Sequence, residues 1–141
     1  MMETILVEAA EDSLNEINDF LNERLEAAGA DPTVMFQIEL SVEEIVVNIA
    51  SYAYEDGVES ELFGKIEVGC ELQEDPPGIT IRFRDTGKRF DPLAMEDADT
   101  SGKMFMEQEG GFGIHMVKET MDEVSYAYED GANVLTIRKK L

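Results

Sequence analysis

The sequence predicts an α+β fold, a two-layer sandwich whose mixed, mostly antiparallel sheet carries its helices on one face. Three observations point there. Apolar residues recur every three to four positions in some stretches and alternate in others. The segments run strand, helix, helix, strand, strand, irregular stretch, helix, strand, strand. With 141 residues, 43% of them hydrophobic, the chain has the length of one domain, residues 1–141, and enough material for a core without covalent staples.

The elements follow in order. "TILVEA" opens as a short strand, and "EDSLNEINDFLNERLEAAG" places Leu14, Ile17, Leu21 and Leu25 on one helical stripe that Gly29 closes. Asp31 followed by Pro32 starts a second helix, an N-cap residue and then a proline whose missing N–H costs nothing there. That helix runs from about 32 to 54, ends near Gly57, and is apolar nearly all round, which predicts a central seat against the sheet. "FGKIEVGCEL" and "ITIRFR" are two strands joined by "QEDPPG", an antiparallel pair. Residues 93–109, "LAMEDADTSGKMFMEQE", lack a clean period. Helical spacing resumes through Phe112, Ile114, Met116, Val117 and Met121, and "EVSYAY", "EDGAN" and "VLTIRKKL" form a closing hairpin. "SYAYEDG" occurs at 51–57 and again at 125–131, but the flanks differ, and the two copies fall on different element types.

A formal net charge of −21 opposes encounter with nucleic acid or an anionic membrane, while leaving open a phosphorylated small molecule held by backbone amides and a divalent cation. No stretch approaches the length of a transmembrane span and no basic-then-apolar leader opens the chain, so a cytoplasmic protein is expected. One cysteine, Cys70, and one histidine, His115, cannot build a disulfide framework or a Cys/His zinc site.

Three places carry candidate chemistry. On the long helix Gln37, Ser41, Glu44 and Asn48 share a face, and Glu44 and Asn48, one turn apart, can converge on one site. A carboxylate there can accept a proton, and an amide oxygen can ligate Mg²⁺ without adding charge. The same spacing also fits a solvated stripe beside Glu43. In "RFRDTGKRFDP", Asp85 ends a strand and Gly87 follows in a turn, which sets an acceptor for an exocyclic amine at the sheet rim, or forms a plain Asx turn. In "EQEGGFGIHMVK", Gly110, Gly111 and Gly113 expose backbone N–H groups at a helix mouth that suits phosphate, or serve as a flexible joint. Neither a phosphate loop nor a dinucleotide fingerprint is present.

Taken together and in this order, "ELSVEEIVVNIASYAY", "FRDTGKRFDPL" and "GGFGIHMVKETMDEVSY" with "GANVLTIRKKL" resemble the ATP-binding domain shared by gyrase, Hsp90, histidine kinases and MutL. The resemblance to this GHKL, or Bergerat-fold, superfamily is strongest for the bacterial anti-sigma factor serine kinases. It implies ATP and Mg²⁺ as cofactors, Glu44 as general base, Asn48 as Mg²⁺ ligand and Asp85 as receiver of the adenine amine. It further implies Gly87 as the turn glycine beneath the base, Gly110, Gly111 and Gly113 as hinge glycines touching phosphates, and residues 93–109 as an ATP lid, with Lys103 its one cation.

The implied activity is a Mg-ATP-dependent serine kinase that phosphorylates a small antagonist protein and also holds a sigma factor, with a homodimer as the implied assembly. Three departures from the pattern bear on catalysis more than on binding. Tyr52 stands where such kinases often have His, Arg89 where many have Gly or Pro, and Asn133 where a Thr frequently approaches the phosphates. They support the alternative of a nucleotide-gated protein-binding regulator with little or no phosphoryl transfer.

Overall fold

The computed structural model describes residues 2–52, 64–94 and 111–141. Strand β1 (Glu3–Glu8) leads through a short 3₁₀ turn into α1 (Leu14–Ala27) and α2 (Pro32–Tyr52). Strands β2 (Lys65–Glu74) and β3 (Pro77–Asp85) follow, then a 3₁₀ turn at Pro92–Ala94, α3 (Gly111–Thr120), β4 (Glu123–Glu129) and β5 (Ala132–Lys140). The five strands form one sheet in the order β1-β2-β3-β5-β4. Every neighbouring pair is antiparallel, so the mixed sheet expected from sequence is antiparallel throughout.

Local chemistry fixes the ends of the elements. At the close of α1 the Gly29 N–H bonds the Glu26 carbonyl at 3.0 Å and the Ala30 N–H bonds the Leu25 carbonyl at 3.0 Å, with Gly29 at φ +73°. Those paired bonds satisfy two orphan carbonyls, and the left-handed residue between them favours glycine. Asp31 caps α2, its Oδ1 accepting the Thr33 N–H at 2.8 Å. Asp130 and Gly131, both at positive φ, make the two-residue turn between β4 and β5. The β2–β3 ladder runs further than its sequence suggests: Glu74 pairs with Pro77, leaving only Asp75 and Pro76 to connect the strands. Proline is tolerated there because it opens β3, where a missing N–H breaks no interior bond.

Ile17, Leu21 and Leu25 of α1 and Ile38, Val42, Ile45, Val46 and Ile49 of α2 pack on one parity of the strands: Val7, Ile66, Val68, Ile79, Ile81, Phe83, Leu135 and Ile137. Val117 and Met121 extend this core from the third helix. Cys70 lies within it, its thiol pushed up to about 11 by burial, which keeps it protonated and inert. The other parity carries Glu67, Arg82, Thr136 and Ser125, as two-layer packing requires. The second helix is less enclosed than its composition suggests, since Phe36 is 60% exposed and Glu39 and Glu43 continue that open stripe. Among the described residues no helix is long and apolar enough to cross a membrane.

Candidate active site

The strand order sets where chemistry can occur. Because β3 and β5 are antiparallel neighbours, the carboxyl end of β3 meets the start of β5, and Asp85 faces Asn133 directly across the ladder. Helix α2 crosses beside this rim. A cleft with about 350 Å³ of space, part of it open to solvent, is lined here by Asn48, Ile49, Asp85, Phe90, Tyr126 and Asn133, among others. Asn48 and Asp85, 37 residues apart in sequence by their numbering, therefore share one wall-to-wall site.

Asp85 is 6% exposed. Its Oδ1 accepts the Gly87 N–H at 2.9 Å and the Asn133 Nδ2 at 3.2 Å. Burial pushes the carboxyl above the usual carboxylate range, and those two donors partly offset the shift. With both donors on Oδ1, Oδ2 is the oxygen left to accept from a ligand. Gly87 thus lies in the turn the sequence predicts, and its amide holds the aspartate.

Asn133 organises this corner, a role that departs from the phosphate-end position expected for it. Its Nδ2 donates toward Asp85 Oδ1, the Lys88 carbonyl at 3.0 Å and the Gly87 carbonyl at 3.4 Å, so three acceptors share two hydrogens. Its Oδ1 accepts the Phe90 N–H at 3.1 Å and the Tyr126 hydroxyl at 2.5 Å. The amide orientation is dictated by its surroundings, since backbone carbonyls only accept and the Phe90 N–H only donates. One side chain from β5 thereby ties down the whole segment from Asp85 to Phe90. Arg89 secures its outer side by lying over the Tyr128 ring at 4.7 Å. One signal in the sequence could have revealed Asn133: it occupies the inward parity of β5 that Leu135 and Ile137 fill with apolar side chains.

Glu44 lies one turn before Asn48 on α2 and outside the cleft lining. It is half-buried, and its carboxyl is raised above the ordinary range first by desolvation and then by the neighbouring Glu43 charge. It reaches the mouth of α3: a Cβ built on Gly113 would fall 1.9 Å from Glu44 Oε2. Gly111 is the first residue of α3. Gly110, Lys103, the lid residues after 94 and the side chain of Tyr52 lie outside the described residues. Ser41, predicted on the same face as Glu44, is fully buried and its Oγ has no hydrogen-bond partner among the described residues.

The histidine kinase-like ATPase domain family matches residues 7–139. The chain belongs to that family. It is 24% identical over 102 residues to the serine/threonine-protein kinase BtrW of Bordetella bronchiseptica, spanning 72% of this chain and 68% of that protein. It is 29% identical over 116 residues to the serine-protein kinase RsbW of Staphylococcus epidermidis, spanning 79% of this chain and 69% of the relative. The RsbW of Oceanobacillus iheyensis is also 29% identical, over 102 residues and 61% of its length. Among solved structures, the RsbU and RsbW domains of a Mycobacterium tuberculosis protein superpose on the full chain with a TM-score of 0.67 at 18% identity, over 32% of the longer polypeptide. The SiaB–SiaC complex of Pseudomonas aeruginosa gives 0.60 at 18% identity over 99% of this chain and 89% of the other. These two likenesses establish the α+β fold.

Proposed function

We propose that this protein is a Mg-ATP-dependent serine kinase that acts on a small antagonist protein and, in its other state, restrains a sigma factor. The relatives named as serine-protein kinases support the reaction class. One observation in the site carries the reading: α2 presents Asn48 to the cleft that holds Asp85 and, one turn earlier, presents Glu44 to the mouth of α3. A nucleotide whose base sits at Asp85 then has its phosphates directed toward the first amides of α3, near a carboxylate.

The roles follow from the chemistry of each group. Asp85 Oδ2 accepts from the adenine amine, and Asn133 keeps the carboxylate from turning away. The N–H groups of Gly111 and Gly113 carry the positive end of a helix dipole toward the phosphates. Glu44 takes the proton of the acceptor serine as that oxygen attacks the γ-phosphorus, the bond to the β,γ-bridging oxygen breaks, and ADP leaves. Its raised proton affinity makes it the stronger base.

The donor set fits magnesium, because a neutral amide oxygen beside a carboxylate is a hard, sparse site that phosphate oxygens and water complete. Among the described residues no cluster of three or more Asp, Glu, His or Cys could hold a metal alone, so Asn48 would share the ion with the nucleotide. When bound, Mg²⁺ neutralises charge developing on the phosphate oxygens.

The alternative of a nucleotide-gated regulator without transfer leans on Asn133 and Tyr52. Asn133 is committed to the Asp85 turn, so its departure from Thr bears on the base end of the site. Titration calorimetry with ADP, with and without Mg²⁺, followed by transfer of labelled phosphate from ATP to the co-purifying antagonist, tests the proposal. Saturable magnesium-dependent binding and label on serine are the expected results. Absent heat at millimolar nucleotide would remove the reading, and binding without transfer would leave the gated regulator.

A further inference from the structure

Gly110, Gly111 and Gly113 look equivalent in sequence, yet Gly113 has a neighbour that explains it without any phosphate. A Cβ at this position would meet Glu44 Oε2 at 1.9 Å, Cδ at 2.7 Å and Cγ at 3.3 Å. All three nearest atoms belong to one side chain, and none is backbone. The two shorter distances lie well inside contact range, so Glu44 and a methyl group at 113 cannot both keep their places.

The backbone does not ask for glycine here. Among the described glycines, positive φ occurs at Gly29, Gly64 and Gly131, whereas Gly113 is a helical residue in the first turn of α3. Alanine would suit that conformation and would favour the helix. The chain thus carries the poorer helix former at the place where the Glu44 carboxylate needs room.

We infer that Gly113 is a positioning residue for Glu44: its missing side chain is the seat that holds the carboxylate against the first turn of α3, beside the amides that face the phosphates. The inference rests on Glu44 as the base. It gives the missing side chain of Gly113 a function separate from the phosphate contact proposed for the same residue's backbone N–H. A methyl group at 113 leaves the backbone N–H in place and evicts the carboxylate toward solvent. Nucleotide binding should then survive, and proton abstraction should not.

The test is Gly113→Ala in the full chain, read in three ways. The Glu44 carboxyl, assigned in ¹³C NMR by comparison with Glu44→Gln, should titrate closer to an ordinary glutamate once it is displaced into water. Mg-ADP affinity should stay within about twofold, while the single-turnover rate of phosphate transfer should fall roughly ten- to a hundredfold, the scale set by an ångström of misplacement. An unchanged Glu44 titration overturns the inference, and so does a loss of Mg-ADP affinity as large as the loss of rate, which would make Gly113 a nucleotide contact. If the native protein transfers no phosphate, the reading of Glu44 as a base fails, and the NMR titration still decides whether Gly113 seats the carboxylate.

Discussion

The two ends of the site are built by opposite means. At the β3–β5 rim, Asn133 and Gly87 surround Asp85 with directional hydrogen bonds, and each donor has an acceptor within 3.4 Å. At the α2–α3 contact, Glu44 occupies the space left by the absent side chain of Gly113. The first arrangement holds a carboxylate in one orientation, as the proposed reading of a base requires. The second seats a carboxylate in the space left at the first turn of α3. Hydrogen bonds aimed at Oδ1 lower the Asp85 proton affinity against the burial that raises it, whereas Glu44 has burial and a like charge acting in the same direction. The roles proposed for them, a recognition group at Asp85 and a general base at Glu44, call for these different surroundings.

The largest effect is expected at Glu44. Glu44→Ala should reduce single-turnover transfer by about 10²–10⁴-fold while leaving Mg-ADP affinity within a few-fold, and a rate equal to the native protein would deny it the role of base.

Asp85→Asn comes next. If its Oδ1 keeps the Gly87 and Asn133 donors, its amide nitrogen takes the place of Oδ2 and opposes the adenine amine, donor against donor. Affinity for ADP in calorimetry should fall by about a hundredfold or more. The same variant should be more stable at neutral pH by about 1 kcal/mol in thermal melts, because a buried charge is removed. The sign follows from the raised folded-state value: Asp85 favours folding when protonated, and that contribution is lost as pH rises through the elevated value. The stability difference between the two proteins should therefore shrink in acid.

Asn133→Ala sharpens the contrast on its polar side. It strips the Phe90 N–H, the Tyr126 hydroxyl and the Lys88 carbonyl of a partner, so denaturant unfolding should report a loss of about 2–3 kcal/mol, with ADP affinity down roughly tenfold as Asp85 loosens. Tyr126→Phe is the mildest probe. Removing a single hydroxyl from the Asn133 amide oxygen should cost about 1 kcal/mol and leave nucleotide affinity nearly unchanged.

Much of the fold was legible because local rules govern it. The stripe of Ile17, Leu21 and Leu25, the cap at Asp31, the glycine at 29 and the turn at Asp130–Gly131 each follow from neighbours within a few residues. The candidate groups on α2 were legible for the same reason, since Glu44 and Asn48 are related by one helical turn. Asp85 was visible at the end of a strand. The part Asn133 plays at Asp85 escaped because its partners at 85 to 90 lie more than 40 residues away, and Gly113 was grouped with Gly110 and Gly111 because composition cannot tell a seat for another side chain from an open amide.

Read alone, the sequence specifies the elements and their order, because helical and strand periods and caps are short-range properties. Only the tertiary structure decided that every strand pair is antiparallel, that Asn133 serves Asp85, and that Glu44 rests on Gly113. Those depend on which distant segments touch, and contact across a ladder or between helices is fixed by packing of the whole core rather than by any stretch of chain read alone.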